Sequence, residues 1–517
     1  MHVWSLLVAA MSASVVLQPA PVSAGLSIQK PLSFNNHVLG TLSLDSDGKP
    51  FTFHYSTPEA HGDNWIGLYH ASGGGPENQS FVTPSLVWEY APQKKGGVHL
   101  SVDSLQPGEY RAYFLAQNGY RWLAQPVNVT LKAPPADLYF PVANATLHNA
   151  RQFEHFSARI DGLLLGKGDA KVGFEKAEGH SWIQVGSNGS ISGQPGLLSP
   201  RRSTVLVRAV ADNGSTAEIR LLIPVRRFYQ SLVGDLRILT YNMWFGGTQV
   251  SNYHEKQLRF LLQSGADIVG LQETTSDHAA RLGKALGWYY WQSTKSVGII
   301  SRYPIVKEYG EISRSGGVRI NLNGRRPVLF GSPFEINFWT THLGFDPYGP
   351  YDFCYAHMSP DEVTAREAES GRMPQMIETL EGMGPQLDNS YKVPVIFTGD
   401  FNAPSHLDWV ESLREKNCGV ANYAWPTSIL PTERGLVDSF RIAHPDPAAE
   451  QGTTWSPILP GEPQDRIDFI YHTGRLKVVD SRRLVVGEPK SSPDHRDNEW
   501  TSDHATVLTH YRLPWWQ

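Results

Sequence analysis

Residues 393–406 read VPVIFTGDFNAPSH, an apolar run that ends in an acid, an aromatic residue and an amide. Residues 393–397 have the length and β-branched content of a buried strand. Gly399 then loosens the backbone, and Asp400 and Asn402 follow two positions apart. Residues two apart in an extended chain point the same way, so a carboxylate and a carboxamide would share one face at a strand end. Catalytic groups often occupy such ends, although a simple Asx turn explains the same residues.

Polar residues close or interrupt the other strand-like runs in the C-terminal half of the chain. They are Asn242, Glu273, His342, Asp468, Asp503 and His504. Any one of them is an ordinary cap or turn former. Together with Asp400 and Asn402, however, they mix carboxylates, amides and imidazoles in a combination that turn formation alone does not explain. The sequence therefore predicts that these side chains gather in one site.

Phosphoester hydrolysis needs this mixture of groups. A hard divalent cation prefers carboxylate and amide oxygens as ligands, and it neutralises the phosphate. A general base orients a water molecule and removes its proton. A histidine oriented by a carboxylate supplies charge or a proton beside the phosphorus. The chain contains neither the H-E-x-x-H nor the G-x-S-x-G pattern, so zinc-protease and α/β-hydrolase chemistry lack their signatures.

The length and composition of the chain indicate a multidomain globular protein. It has 517 residues, of which 40% are hydrophobic and 11% aromatic, enough for about three domains. The formal net charge is −5, so the chain lacks the basic footprint of a dedicated nucleic-acid-binding protein. Within residues 1–24, an apolar stretch from Leu6 to Leu17 is too short to span a bilayer and is followed by the small residues Val22-Ser23-Ala24, which suit signal cleavage. We read this stretch as a signal peptide and expect a secreted, extracellular protein without a transmembrane segment.

Secretion permits a disulfide and glycosylation. The chain has two cysteines, Cys354 and Cys418, which we expect to form a bridge, with two buried free thiols as the alternative. Five N-x-S/T sequons occur before residue 229, at Asn78, Asn128, Asn144, Asn188 and Asn213. Each would need a surface position to be glycosylated.

Two composition changes divide the chain into three segments after the signal peptide. Residues 25–133 and 134–228 contain short, alternating, aromatic-rich runs between Gly/Pro turns, which predict two all-β sandwich domains. They resemble SKICH-like or immunoglobulin-like modules and cadherin-like or immunoglobulin-like modules, respectively. Residues 229–517 alternate strand-like and helix-like runs, which predicts a layered α/β domain. The pattern over 359–382 is helical, and residues 343–358 read as a long loop.

The motifs of the third segment resemble those of the endonuclease/exonuclease/phosphatase (DNase I-like) superfamily. The matching pieces, in order, are YNMW (241–244), LQE (271–273), VGIISRYPI (297–305), TTHLG (340–344), GDFNAP (399–404), RIDFIY (466–471) and SDHA (502–505). The resemblance implies a four-layer α/β sandwich and a hydrolase that uses Mg²⁺, with Mn²⁺ or Ca²⁺ as further candidates.

The resemblance also implies roles for individual residues. Glu273 would be the principal metal ligand, supported by Asn242 and Asp503. Asp400 and Asn402 would hold the attacking water and the phosphate. Asp468 would orient His504, and His342 would contact the phosphate or the leaving oxygen. The general base is either Asp400 or the Asp468–His504 pair.

The substrate stays open on the sequence alone. We expect a phosphate mono- or diesterase acting on a phosphoester substrate, with a secreted nuclease acting on DNA or RNA as the alternative and no obligate protein partner. A non-catalytic surface- or carbohydrate-binding protein built on the two β modules is the alternative of another class. In the loop after His342, Tyr348 and Tyr351 are candidates for contacting the organic part of the substrate.

Overall fold

The structure is a computed structural model that describes residues 39–45, 51–101, 105–131, 137–274, 277–324 and 334–513. The expected signal peptide, residues 1–24, lies outside these residues. The chain forms two compact units, one that ends at Pro135 and one that begins at Ala136. No helix within the described ranges has the length and hydropathy needed to cross a bilayer.

The described part of the first unit is built from strands alone, as its alternating runs predict. One sheet has the order β1–β2–β5 and the other the order β4–β3–β6–β7. Side chains of both sheets, including Phe53, Ile66 and Phe114, share one apolar core. The strands are β1 (Thr41–Leu44), β2 (Thr52–Ser56), β3 (Trp65–His70), β4 (Val87–Tyr90), β5 (Lys95–His99), β6 (Gly108–Leu115) and β7 (Val127–Leu131).

The second unit begins with a further β region. Strands β11–β14–β15–β8 form one sheet, with β9 also paired to β15, and β10–β13–β12 form another. The strands are β8 (Asn144–Thr146), β9 (Ala150–Arg151), β10 (Phe156–Arg159), β11 (Val172–Gly179), β12 (Ile183–Val185), β13 (Ser190–Gly193), β14 (Arg202–Ala211) and β15 (Thr216–Arg226). The core of this region is continuous with that of the following segment, so residues 137–226 and the segment after them belong to one unit.

The rest of the second unit is built on two mixed six-stranded sheets. Sheet I has the order β18–β19–β17–β16–β27–β26, and sheet II has the order β20–β21–β22–β23–β25–β24. Their strands are β16 (Asp235–Asn242), β17 (Ile268–Gln272), β18 (Tyr289–Gln292), β19 (Val297–Ser301), β20 (Ile305–Ile312), β21 (Ser315–Asn321), β22 (Glu335–His342), β23 (Val395–Asp400), β24 (Val437–Asp438), β25 (Asp468–His472), β26 (Lys477–Leu484) and β27 (Thr506–Arg512).

The two sheets pack face to face over an aliphatic core. Ile238, Ile268 and Ile299 of sheet I meet Phe338 and Ile396 of sheet II. At Gly270 the approach is so close that a Cβ atom would lie 2.2 Å from the Thr398 hydroxyl of the facing sheet. The sheets therefore hold their strand ends in a fixed relation, and those ends carry the polar residues found in the sequence.

Helices cover the outer faces of the two sheets. Leu258 and Phe260 share a core with residues of sheet I, and Met376 and Leu380 pack against the outer side of sheet II. The helices are α1 (Tyr253–Ser264), α2 (His278–Leu286), α3 (Gly349–Cys354), α4 (Pro360–Glu369), α5 (Arg372–Gly382), α6 (Gly384–Asp388), α7 (Pro426–Glu433) and α8 (Ser439–Ala443).

The helical expectation over 359–382 is confirmed, whereas the loop expected over 343–358 was wrong in part. The helical pattern over 359–382 forms two helices, because Gly371 adopts φ 80° between α4 and α5. The loop expected over 343–358 contains α3, which the periodicity rule missed because the helix is only six residues long. Pro350 lies in the first turn of α3, where the missing N–H has no cost, and Phe353 anchors the helix in an aromatic cluster.

Candidate active site

Three neighbouring strands of sheet II place three of the predicted residues side by side. His342 ends β22, Asp400 ends β23 and Asp468 begins β25. The ladder pairs His342 with Asp400 and Asp400 with Asp468. Cross-strand partners point to the same face of a sheet, so the two acids and the imidazole form one row. In that row His342 Nε2 lies 3.8 Å from Asp400 Oδ2.

Sheet I contributes residues from the ends of two adjacent parallel strands. Asn242 ends β16 and pairs with Gln272, the last residue of β17. Glu273 follows immediately and adopts φ 55°, a left-handed conformation that a residue with a long side chain seldom takes. Such strain persists where the surroundings hold the residue, and it is common at functional sites. Here the backbone N–H of Phe245 donates to Glu273 Oε2 at 2.7 Å.

Asn242 connects the site residues of sheet I with those of sheet II. Its Nδ2 group donates to Asp400 Oδ2 at 2.9 Å and to Glu273 Oε1 at 3.2 Å, and it lies 3.4 Å from His504 Nε2. Its Oδ1 atom accepts from the backbone N–H of Trp244 at 3.0 Å, which fixes the orientation of the amide. One buried side chain therefore connects the acids of both sheets.

The histidine just before β27 is oriented by a carboxylate of the other sheet. His504 Nδ1 lies 2.9 Å from Asp468 Oδ2, and His504 Nε2 lies 3.7 Å from Asp400 Oδ2. Nε2 is thus turned toward Asp400. The Trp455 ring covers the imidazole at a centroid distance of 4.9 Å. The Asp468–His504 contact that the resemblance implied is present in the structure.

Burial and charge shift the protonation of these groups. Burial opposes the charged form of His504, but the carboxylates of Asp468 and Asp400 outweigh it and raise the pKa of this histidine well above its ordinary value. Burial, reinforced by Asp468, raises the pKa of Asp400. Burial, with Glu273 and Asp400 adding to it, raises the pKa of Asp503 to about 8. The site therefore concentrates more negative charge than the protein alone neutralises.

This excess of negative charge fits a divalent cation. Among the residues that the structure describes, Asp503 Oδ1 and Asp468 Oδ1 are buried without a hydrogen-bond partner, a costly state for a carboxylate unless a cation faces it. Ligand atoms of Asp400, Asp468 and His504 also lie within 4.8 Å of one another. The resemblance assigns the cation instead to Glu273 and Asp503, whose carboxylates interact electrostatically. A cation bound there would lower the pKa of Asp503 toward its ordinary value.

The sequence pattern predicted an extended chain from Asp400 to Asn402. The structure has a turn there instead. Asn402 adopts φ 51°, and its N–H donates to Asp400 Oδ1 at 2.9 Å, so an Asx turn forms directly at the strand end. The side-chain Nδ2 of Asn402 donates to the carbonyl of Leu343 at 2.9 Å. The turn and the clustering of acids thus occur together. Oδ1 of Asp400 accepts the hydrogen bond of the turn, and Oδ2 of Asp400 faces the other site residues.

The residues proposed for substrate contact are part of a packed aromatic segment. Tyr348 is buried, and its hydroxyl donates to Asp465 Oδ2 at 3.2 Å. Its ring meets the half-buried Tyr351 edge to face at 4.9 Å. Cys354, at the end of α3, is joined to Cys418 by a disulfide with a Cα–Cα distance of 5.2 Å. Direct contact of the two tyrosines with a substrate stays a prediction.

Several supporting residues were not found from the sequence. Ser296 Oγ lies 3.1 Å from His342 Nδ1, Thr454 Oγ1 accepts from the N–H of Asp468, and Ser502 Oγ accepts from the N–H of His504. Their residue types are common in loops, and the partners of Ser296 and Thr454 lie 46 and 14 positions away in the chain. Only Ser502, which lies inside the quoted SDHA motif, carried a sequence signal.

The fold and the site define a hydrolase-type centre between two sheets, and comparison with known proteins identifies the family. Residues 239–504 match the model of the Endonuclease/Exonuclease/phosphatase family. The chain is also 31% identical over 303 residues to an uncharacterized protein of Caenorhabditis elegans, a match that covers 54% of this chain and 92% of that protein. The chain therefore belongs to the endonuclease/exonuclease/phosphatase family, whose members are hydrolases that act on phosphoester bonds.

Solved structures show weaker likenesses to this chain. They include truncated Caenorhabditis elegans TDP2, with 15% identity, TM-score 0.35 and coverage of 54% of this chain and 98% of that one. A 3′-5′ exonuclease from Neisseria meningitidis has 18% identity, TM-score 0.36 and coverage of 54% and 100%. A mannosyl-6-phosphatase from Bacteroides thetaiotaomicron has 16% identity, TM-score 0.34 and coverage of 54% and 100%.

Proposed function

We propose that residues 229–517 hydrolyse phosphate mono- or diesters with the help of a divalent cation, Mg²⁺ being the best fit. The observation that supports this most is a buried, hydrogen-bonded cluster between the two sheets. It contains Asp400, Asn242 and the Asp468–His504 pair. Unpartnered carboxylate oxygens beside it suit a hard cation. We also propose that the two sheets and the helices on their outer faces form the four-layer sandwich that the resemblance implies.

In the proposed reaction each side chain has a defined task. Glu273 and Asp503 would hold the cation, with Asn242 fixing the position of Glu273 through its amide. Once bound, the cation supplies charge neutralisation at the phosphate and polarisation of the P–O bond. His342 lies beside Asp400, where its imidazole can contact a phosphate oxygen or the leaving oxygen.

The electrostatics support Asp400 as the general base. A histidine whose pKa lies well above its ordinary value carries a proton at neutral pH, so His504 is better suited to donate to a phosphate oxygen than to accept a proton. Asp400 is buried, and burial raises its pKa, which makes its carboxylate a stronger base toward water. Asp468 would keep the imidazole of His504 in the donating orientation.

A turnover panel tests this proposal. Nucleotides, inositol phosphates, phospholipids, DNA and RNA are each incubated with the full chain, once with Mg²⁺ and once with excess chelator. We expect release of phosphate or cleavage of a diester for at least one substrate class, and its loss in chelator. Equal turnover with and without chelator would contradict a role for the cation, and preferential cleavage of DNA or RNA would establish the nuclease alternative.

We also propose that the protein is a secreted glycoprotein whose β regions are immunoglobulin-like and cadherin-like modules. Its five sequon asparagines, Asn78, Asn128, Asn144, Asn188 and Asn213, are all exposed. The Cys354–Cys418 bridge suits an oxidising compartment. Expression in a secretory host, followed by glycosidase treatment and mass spectrometry of the medium, tests this. Retention in the cytosol with all five asparagines unmodified would contradict it.

A further inference from the structure

Five large apolar side chains protrude at one end of the β region of the second unit. Their exposed fractions are 47% for Phe153, 65% for Leu197, 94% for Leu198, 42% for Phe228 and 64% for Tyr229. An exposed apolar surface of this kind marks an interaction site when its members are contiguous. We call this group the apolar patch.

Hydrogen bonds and ring contacts show that the apolar patch is continuous. The N–H of Phe153 donates to the carbonyl of Pro195, and Gln152 Nε2 donates to the carbonyl of Leu197. The rings of Phe153 and Phe228 lie 5.9 Å apart, and those of Phe228 and Tyr229 lie 5.3 Å apart. Three separate chain segments therefore hold the five side chains at one place.

Arginines border the apolar patch. Arg201 and Arg202 follow the loop that carries the two leucines, and Arg227 directly precedes Phe228. All three are exposed, and within the described ranges none forms an ion pair with a carboxylate. In residues 150–156, 194–202 and 224–230 the single acid is Glu154, which is paired with Arg151 at 2.8 Å. These three segments therefore carry an excess of positive charge.

We propose that the apolar patch docks on an anionic lipid bilayer. Leucine side chains that project from a loop tip can enter the boundary between headgroups and acyl chains, and a fringe of arginines can contact anionic headgroups. Leu197 and Leu198 also border a shallow hollow beside Trp182, but Leu198 stays 94% exposed, so its side chain is free to enter a deformable lipid surface. Nucleic acid would use the arginines but would leave the exposed leucines without a role.

The apolar patch lies far from the active site. Arg151 Nη1 donates to Asn323 Oδ1 at 2.8 Å, which places the β9 end beside the residues that follow β21. The opposite end of β21 begins at Ser315, which pairs with Thr341 next to His342. Seven strand residues span about 20 Å. Docking would therefore hold the enzyme at a membrane without presenting the lipid to the catalytic residues.

A vesicle cosedimentation experiment with the full chain tests this proposal. Vesicles of phosphatidylcholine alone are compared with vesicles that contain phosphatidylcholine and phosphatidylserine in a ratio of about 7:3, at low and at raised salt, because screening weakens surface attraction. We expect the chain to bind the anionic vesicles preferentially. The Leu197→Ser/Leu198→Ser variant should bind about tenfold less, since it lacks the two exposed leucines that would enter the bilayer. The Arg201→Gln/Arg202→Gln variant should lose about fivefold for each charge removed.

Two controls make the outcome decisive. Val479→Ser changes an exposed apolar residue on another strand of the same unit, and Arg482→Gln changes an exposed arginine there. Both should bind as the unsubstituted chain does. The proposal is overturned if the chain does not sediment with anionic vesicles, or if the controls lose binding as much as the patch variants. A dimer in sedimentation velocity that the leucine variant dissociates, without vesicle binding, would instead make the patch an interface between copies.

Discussion

Asn242 and Asp400 lie on different sheets, 158 positions apart in the chain, yet Asn242 Nδ2 donates to Asp400 Oδ2 at 2.9 Å. The same amide group reaches Glu273 Oε1 at 3.2 Å. A neutral donor between two carboxylates orients both without adding charge, so it stabilises the one arrangement in which they face the same space. The geometry of the site therefore depends on Asn242 as much as on the acids themselves.

Replacing this amide by a carboxylate should disable the enzyme. Asn242→Asp keeps the size of the side chain but places a third negative charge beside Asp400 and Glu273 and removes their shared donor. We expect kcat/KM to fall by about a hundredfold or more, in line with the loss of a buried charged hydrogen bond. Asn389→Asp, an exposed change elsewhere in the same unit, is the control and should leave kcat/KM unchanged. A normal kcat/KM in Asn242→Asp would show that activity does not depend on the Asn242 amide.

The Asp468–His504 pair predicts a second loss of activity. Asp468→Asn preserves shape but no longer favours the protonated, correctly oriented imidazole, so we expect kcat to fall by about 10²–10⁴-fold. The pKa of His504, which the carboxylates raise, should fall in the variant because one of them is gone. An NMR titration of the imidazole measures this directly. An unchanged titration curve together with normal kcat would show that the pair does not act as described.

The disulfide should stabilise the segment that leaves the catalytic strand. Cys354 and Cys418 are 64 positions apart, so their bridge closes a long loop and restricts the unfolded chain. Loop-closure entropy assigns about 4 kcal/mol to a loop of this length. The Cys354→Ser/Cys418→Ser variant should therefore unfold at a lower temperature in calorimetry. Alkylation of the denatured, unreduced protein should label neither cysteine, and labelling of both would show that the bridge is absent.

A half-buried histidine, His148, predicts that acid weakens the fold. Burial, with a smaller contribution from Arg302, lowers the pKa of His148 to about 4, and its ring stacks on Phe156 at 4.6 Å. The unfolded chain binds a proton at this residue near its ordinary pKa, whereas the folded chain does so only near 4. Stability is therefore complete above about pH 6.5 and falls as the pH drops from there to 4, by up to about 3 kcal/mol.

Calorimetry of His148→Gln at pH 7.5 and pH 5 tests this dependence. The variant should show a smaller decrease in unfolding temperature between the two pH values than the unsubstituted chain. His357→Gln, at an exposed position, provides the matched control and should behave as the unsubstituted chain does. An identical decrease in all three proteins would show that His148 does not carry the effect.

The sequence predicted correctly those features that depend on neighbouring residues, namely individual strands and the motifs at their ends. The apolar runs that end at Asn242 and Asp400 form β16 and β23, and the first unit is all β as its alternating pattern indicates. The gathering of the site residues followed from their position at strand ends. Sequence patterns could not show that Asn242 bonds to Asp400, since that contact depends on how two sheets pack.

Short and composite features were missed for physical reasons. Helix α3 is too short to show a helical period, and its stability comes from the packing of Phe353. The position of Trp455 over His504 joins residues from two loops that no motif links. The apolar patch likewise unites three distant segments, each unremarkable alone. Such features arise from tertiary packing, which one sequence read in isolation does not reveal.

The position of a bound divalent cation decides whether Glu273 and Asp503 form the metal site. Crystals of the full chain grown with Mn²⁺ would be measured for anomalous scattering, alongside Glu273→Gln and the exposed control Glu369→Gln. We predict a peak within coordination distance of Glu273 and Asp503 in the unsubstituted chain and the control, and a much weaker one in Glu273→Gln, together with a loss of turnover of orders of magnitude in that variant. Full turnover in Glu273→Gln, or an ion bound only elsewhere while the protein hydrolyses its substrate, would contradict the account.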